Sequence, residues 1–275
     1  QSPLANHIVM TCLSFSCSAS LMALATSLML GTSAAMAHPG SATATPQLAQ
    51  LVFNNSSDPA DGFSGTGRPT SRSSGGSRGE CDDLLVALLP SSDSLETTEA
   101  GCSPQSFADL ALTTAAKPII WVHLPELTEP LEGELAVLDE NQRALSIQTM
   151  TLPGTAGIVG IQVEPTLERD RTYYWVFTVL ADPQIPSQNP RVEGMLRRIE
   201  PEADWLTSLE ATNHLREQAA IWAEAGVWHE ALTALVSLRQ TTSDDAAALQ
   251  DWQDFLGSVG LTAIVDAPIQ DCCYQ

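Results

Sequence analysis

Positive charge is what this chain has least of. It carries 12 basic residues against 33 acidic ones, a formal charge of −21 at pH 7, and Lys117 is its one lysine. A surplus of that size repels nucleic acid and anionic membranes and favours solubility, so nucleic-acid binding is excluded and an acidic, solvated surface is expected. Motifs that carry chemistry are missing too. There is no Cys-x-x-Cys spacing and no clustering of histidines for a redox or metal site. No His-Glu-x-x-His run occurs, and no serine sits in a nucleophile elbow. Asp58-Pro59-Ala60-Asp61-Gly62 is too short for a calcium loop. The Gly-rich stretch from Gly65 to Gly79 lacks the preceding strand, following helix and lysine of a phosphate cradle. Neither a cofactor nor a metal is therefore expected.

Charge of either sign is absent from the first 37 residues. An apolar run over residues 8–30 leads into Thr32-Ser33-Ala34-Ala35-Met36-Ala37 and then His38-Pro39. A hydrophobic stretch ending in a small-x-small site (Ala35-x-Ala37) is the signature of a cleavable secretory signal, and predicts a secreted or periplasmic protein with no membrane span after cleavage. Residues 10–30 are long enough to cross a bilayer, so a retained anchor is the alternative.

The remainder of the chain divides into a Ser/Gly/Pro-rich linker over 38–79, a strand-rich region over 80–200 and a helical region over 201–275. The linker has few large apolar side chains and is expected to stay disordered, because burial cannot offset the entropy of ordering it. Four cysteines remain after cleavage: Cys81, Cys102, Cys272 and Cys273. An even number in an exported chain argues for disulfides, with three connectivities open. Adjacent cysteines join only through a strained small ring, so Cys81 and Cys102 each taking one of the C-terminal pair is favoured. Such long loops would each add about 4–5 kcal/mol in the chain-entropy account.

Between 80 and 200 the hydrophobic period is two. Strands are predicted over 84–89, 118–124, 133–138, 144–151, 157–163, 172–180 and 192–199, with 107–113 as an eighth. Pro125, Asp139-Glu140-Asn141, Pro153-Gly154, Glu168-Arg169-Asp170 and Asp182-Pro183 separate them, and Asp139-Glu140-Asn141 marks a hairpin. This pattern predicts an immunoglobulin-like β-sandwich, with Tyr173, Trp175 and Phe177 on the core face of one strand. After Pro201 the period becomes helical, and helices are expected over 208–225, 227–240 and 243–257. Thr207 or Ser208 is the expected cap of the first, and Ser243-Asp244-Asp245 opens the third. Ala219, Trp222, Gly226, Trp228, Ala231 and Leu235 have the spacing of one tetratricopeptide-like hairpin, small residues letting the helices approach and large ones filling the seam. The fold class is thus α+β, a sandwich followed by a helical tail.

The histidines of the mature part are His38, His123, His214 and His229. His214 lies three residues from Glu217 and four from Glu210, so one helix face could pair it with a carboxylate. An envelope hydrolase using His123 or His214 is the alternative reading. The favoured one is a non-enzymatic interaction or structural protein of the cell envelope or exterior, with an unknown envelope or extracellular protein as partner and self-association allowed. Its expected surface is the Pro-rich connection over 182–194, with Asp182, Gln188, Asn189, Arg191 and Glu193, together with Trp228 on the helix pair.

An ordered series of segments bears on the fold and the address, though not on the activity. It comprises Cys81 leading into 84–90, Lys117-Pro118 before an apolar strand ending at Pro125, and Leu152-Pro153-Gly154-Thr155-Ala156-Gly157-Ile158-Val159. It continues through 173–183, Val192-Glu193-Gly194 with Arg197 and Arg198, 220–239, 252–261 and Cys272-Cys273. The series, over nearly all of 80–273, resembles the cyanobacterial family called domain of unknown function 928. The resemblance implies an exported protein with a sandwich-like core and a helical tail, and no known catalytic residues. Relatives often carry a cysteine just before the Asp-Pro; Ala181 stands there in this chain, so any bridge at that point is absent.

Overall fold

The computed structural model describes residues 50–54, 73, 83–91 and 108–273, and the backbone of 97–98 and 101–102. The expected signal segment lies outside the described residues, as does most of the expected linker. In chain order the strands are β1 (Val86–Ala87), β2 (Thr97–Thr98), β3 (Gly101–Cys102), β4 (Leu110–Thr113), β5 (Ile119–Leu124), β6 (Glu132–Leu138), β7 (Ala144–Thr151), β8 (Gly157–Gln162), β9 (Arg171–Leu180) and β10 (Arg191–Arg198). Four helices follow: α1 (Ala203–Glu210), α2 (Leu215–Glu224), α3 (Trp228–Thr241) and α4 (Ala246–Ser258). The class is α+β.

Five strands form one sheet in the order β4-β10-β9-β6-β7, and three form another in the order β1-β5-β8; β2 and β3 make a short ribbon. Pairing is antiparallel except between β4 and β10, which run parallel with Met195 opposite Leu110. The period of two decides which side chains turn inward. Along β6, Gly133, Leu135 and Val137 are buried; along β9, Tyr173, Trp175, Phe177 and Val179. Gly194 sits opposite Trp175 in the ladder. A Cβ there would lie 2.5 Å from the indole and 2.6 Å from Leu89, so only glycine fits. Strands β5 and β8 are apolar almost throughout because both faces are covered. The β6–β7 hairpin turns on Asp139, whose Oδ1 accepts from the amides of Asn141 and Arg143 at 2.8 and 2.9 Å.

Both sheets and helices α2 to α4 contribute to one buried cluster. Helix α3 is pinned to the strands by its own side chains: Trp228 Nε1 donates to the Leu88 carbonyl at 2.9 Å, and Trp121 Nε1 on β5 donates to Thr233 Oγ1 at 3.1 Å. No helix among the described residues is long and apolar enough to cross a membrane.

Several expectations need correction. The helix expected over 208–225 is two helices, because Thr212 interrupts it. Its hydroxyl bonds Glu217 and accepts the His214 amide, ending one helix and opening the next. Thr207 and Ser208 are not caps: they lie inside α1 and donate back to the carbonyls of Ala203 and Asp204. Asp245 does cap α4, its Oδ1 accepting from Ala247 N at 2.8 Å. Within the expected linker, residues 50–54 are packed rather than free. Leu51 and Phe53 are buried, with the Phe53 ring edge-on to Trp228 at 4.9 Å. Burial of these two side chains docks the segment together with hydrogen bonds from Phe53 N to Ser258 Oγ and from Asn54 N to the Ala223 carbonyl, each 3.1 Å.

The C-terminal tail is held by backbone pairing to β8. Ile158 N donates to the Pro268 carbonyl at 2.7 Å, and Gln270 N donates to the Ile158 carbonyl at 2.8 Å. The tail passes so close over Gly157 that a Cβ there would meet the Pro268 oxygen at 2.6 Å. The sulfurs of Cys272 and Cys273 lie against each other, the neighbour pairing that ring strain disfavoured. Cys81 and the side chain of Cys102 lie outside the described residues.

Candidate functional site

The connection between β9 and β10 is braced from within. Asp182 Oδ1 accepts from Gln184 N at 2.7 Å and Ile185 N at 3.1 Å, closing a turn of the kind aspartate favours. Asn189 Oδ1 accepts from Asp182 N at 2.8 Å, tying the two ends of the loop together. Gln188 and Arg191 are exposed, Asp182 half-buried, and Glu193 half-buried with Arg191 Nε 3.4 Å from its carboxylate. Asn189 is buried, with its Oδ1 engaged inside the loop, so little of it is presented at the expected surface. Trp228 also leaves the expected surface: it is fully buried, stacked on Phe255 at 5.0 Å. The seam position that made it a candidate is filled from both sides.

The loop stands beside an open strand. Leu180 at the end of β9 pairs with Glu132, and Glu132 pairs with Thr151 at the end of β7, so the loop and the end of β7 share one end of the sheet. Strand β7 is the outermost of five, with no strand beyond it among the described residues. Its sequence Ala-Leu-Ser-Ile-Gln-Thr-Met-Thr contains no charge and no proline. Leu145 is 48% exposed and Ile147 60% exposed. The opposite face of β7 is tied down at Gln148, whose Nε2 donates to the Gln162 carbonyl at 2.9 Å.

A second feature lies where α2 and α3 meet the strands. A cavity of about 350 Å³ opens there between Ile119, Leu215, Trp222, His229, Glu230 and Ala234. Glu230 Oε1 gathers four donors from the end of β4 and the turn after it: Thr113 Oγ1 at 2.8 Å, Thr114 N at 2.7 Å, Thr114 Oγ1 at 2.9 Å and Ala115 N at 2.8 Å. Its other oxygen, Oε2, is buried with no hydrogen-bond partner. His229 is 3% exposed. Its Nδ1 lies 3.0 Å from the Ile119 carbonyl, an oxygen that can only accept, so Nδ1 carries the proton and Nε2 the lone pair. Nε2 likewise has no partner.

Burial pushes the His229 imidazole pKa down, against the opposing pull of the Glu230 carboxylate and the Ile119 carbonyl. As pH falls below the unfolded value of about 6.5, the unfolded chain takes up a proton before the folded one does, so this contribution to stability is lost in acid. We expect the melting temperature to fall more between pH 7 and pH 5 for the native chain than for His229→Gln. Parallel pH curves would contradict the assignment of a neutral, buried imidazole.

The other histidines are placed differently from their expected roles. His123 is buried and directs Nδ1 to the Leu84 carbonyl at 3.0 Å, joining β5 to the segment before β1. His214 is exposed ahead of α2, whereas Glu210 closes α1, so these two share no helix face. Glu217 is engaged with Thr212. No group of three or more His, Cys, Asp or Glu side chains is placed to hold a metal ion among the described residues. Sequence reasoning missed Glu230 altogether and gave His229 no role. The signal was an acid directly after a histidine in the first turn of a helix, which is common and points nowhere by itself.

No curated protein matches the chain. Residues 72–269 match a family described as Domain of Unknown Function (DUF928), a span covering both sheets, all four helices and the first part of the tail. The cavity and the open strand both lie inside that span, and the chain belongs to the DUF928 family.

Proposed function

We propose that this chain is an exported, non-enzymatic interaction protein of the cell envelope or exterior, and that it receives an extended segment of a partner protein along β7. Supporting export are the uncharged apolar run over 8–30, the Ala35-x-Ala37 site and the even cysteine number after it. The resemblance of the sequence to a cyanobacterial family of exported proteins agrees with that address. The fold is read as an immunoglobulin-like sandwich carrying one tetratricopeptide-like helix pair. Ends of such sandwiches present binding loops, and the braced 182–190 loop would frame the end of the β7 site.

One observation carries the reading: β7 is an eight-residue outer strand, free of charge, with Leu145 and Ile147 exposed. Proteins that must keep an edge strand to themselves blunt it with lysine, proline or a bulge. Strand β7 carries neither lysine nor proline; its register slips once against β6, at Leu145 opposite the Val137–Leu138 step, and residues 146–151 form a regular edge beyond it. An added strand would gain main-chain hydrogen bonds, with Leu145 and Ile147 supplying side-chain grip.

The test is differential capture from native envelope and culture supernatant with the full chain. Ile147→Lys should lose the captured partner while melting within a few degrees of the native chain, since the position is exposed. Leu206→Lys, at another exposed apolar site on α1, should retain it. Equal capture by native chain and Ile147→Lys would refute the β7 assignment. Dimerisation lost on the same substitution would identify the partner as a second copy.

A further inference from the structure

The two halves of the β7 edge differ in chemistry, and that difference selects among extended partners. Leu152 N donates to the Leu131 carbonyl at 2.8 Å, which sets the parity of the β6–β7 ladder. The N–H and C=O of Ile147 and Thr149 therefore point out of the sheet. At Thr151 the edge closes, because the Cys272 and Cys273 sulfurs lie 3.8 and 3.9 Å from its carbonyl oxygen. Leu145, Ile147, Thr149 and Thr151 are all exposed, two of them apolar and two short and polar.

The neighbours on β6 sharpen the contrast. Ala136 lies opposite Ile147, Glu134 opposite Thr149 and Glu132 opposite Thr151. Glu132 Oε1 accepts from Thr151 Oγ1 at 3.0 Å, and Glu134 has no ion-pair partner among the described residues. Neither β6 nor β7 contains a lysine or arginine. Arg191, beyond Thr178 in the same row as Glu134, is turned to Glu193 at 3.4 Å. Arg143, at the hairpin end of β7, donates to Asp139 Oδ2. One half of the edge thus has neutral surroundings, and the other adjoins carboxylates that no cation neutralises.

We propose that the segment received by β7 is basic in an ordered way, an inference that rests on β7 being the receiving edge. It runs antiparallel to β7, with a lysine or arginine opposite Thr149 and then apolar side chains at alternate positions, opposite Ile147 and beside Leu145. Strands lie about 4.8 Å apart, so a residue opposite Thr149 starts about 10 Å from Glu134. A long basic side chain lays its stem over the short threonine and brings its charge to the carboxylate. The net charge of −21 draws such a segment in and turns an acidic one away. A second copy of β7 brings no basic residue, so self-pairing leaves Glu134 unmatched.

Two-dimensional NMR of the isotope-labelled full chain tests this, because it detects weak peptide binding and locates it through shifts of residues 145–151. Three capped hexapeptides are compared: Thr-Lys-Thr-Val-Thr-Val, Thr-Gln-Thr-Val-Thr-Val and Thr-Glu-Thr-Val-Thr-Val. At low salt the lysine peptide should bind about threefold or more tighter than the glutamine peptide, with the glutamate peptide weakest. The spread should shrink in about 0.5 M salt. Glu134→Gln should bring the lysine peptide to within about twofold of the glutamine peptide. Glu210→Gln, the same charge change at an exposed site closing α1, should leave the spread intact. Equal binding of the three peptides with shifts along β7 overturns the charge assignment and leaves β7 as a receiving edge. A spread that Glu134→Gln does not reduce does the same. No shift along β7 with any peptide overturns both.

Discussion

Replacing Trp228 with alanine is expected to destabilise the chain by about 3–5 kcal/mol, the range for emptying a large aromatic site in a packed core. Against a total stability of about 5–15 kcal/mol, that is a large share. The ring joins four parts of the molecule. It stacks on Phe255 of α4 at 5.0 Å, receives the edge of Phe53 at 4.9 Å, anchors the first turn of α3, and donates from Nε1 to the Leu88 carbonyl beside β1. Alanine leaves a void among them and strands the Leu88 oxygen. Trp228→Phe keeps most of the packing and loses the hydrogen bond, so about 1–2 kcal/mol is expected. Guanidinium unfolding followed by far-ultraviolet circular dichroism measures both. A loss below about 1 kcal/mol for the alanine variant would mean that the helices do not depend on this contact.

Glu230→Ala is expected to cost about 3 kcal/mol, for a different reason. It removes the acceptor shared by Thr113, Thr114 and Ala115, leaving two backbone amides and two hydroxyls without it at the junction of β4 and α3. Glu230→Gln keeps one oxygen for those donors and should stay within about 1–2 kcal/mol of the native chain. Denaturant midpoints for the two variants separate the account from simple loss of side-chain volume. Equal destabilisation by alanine and glutamine would contradict the four-donor arrangement, because glutamine fills the same space.

Strands and helices were legible in the sequence where one physical signal sufficed. The period of two placed β6, β7, β9 and β10 within one residue, because each has a core face and a facing-out set. The hairpin at Asp139 was legible because its carboxylate satisfies amides two and four residues on, a purely local arrangement. The break between α1 and α2 was readable in principle from Thr212-Asn213, but an apolar period running through both sides masked it. Parallel pairing of β4 with β10 joins residues about 85 apart, and nothing local encodes that.

The candidate sites divide along the same line. The open edge needs the sheet order as well as the strand, so a correct reading of residues 144–151 as β said nothing of exposure. Trp228 shows the converse error. A tryptophan at a helix seam was read partly as surface, and the partners that bury it, Phe53 and Phe255, lie 175 residues before and 27 residues after it. Glu230 and its donors are separated by 115–117 residues. A carboxylate in the first turn of a helix reads as ordinary dipole compensation until the turn after β4 is brought beneath it.

Hydrogen exchange at β7 tests the interaction reading most directly. The full chain would be compared alone and with the partner captured from envelope or supernatant, following the amides of residues 144–151. The account predicts that those β7 amides facing away from β6 exchange quickly in the free chain and at least about tenfold more slowly in the complex. Unchanged exchange along β7, with protection appearing on another face, would contradict it.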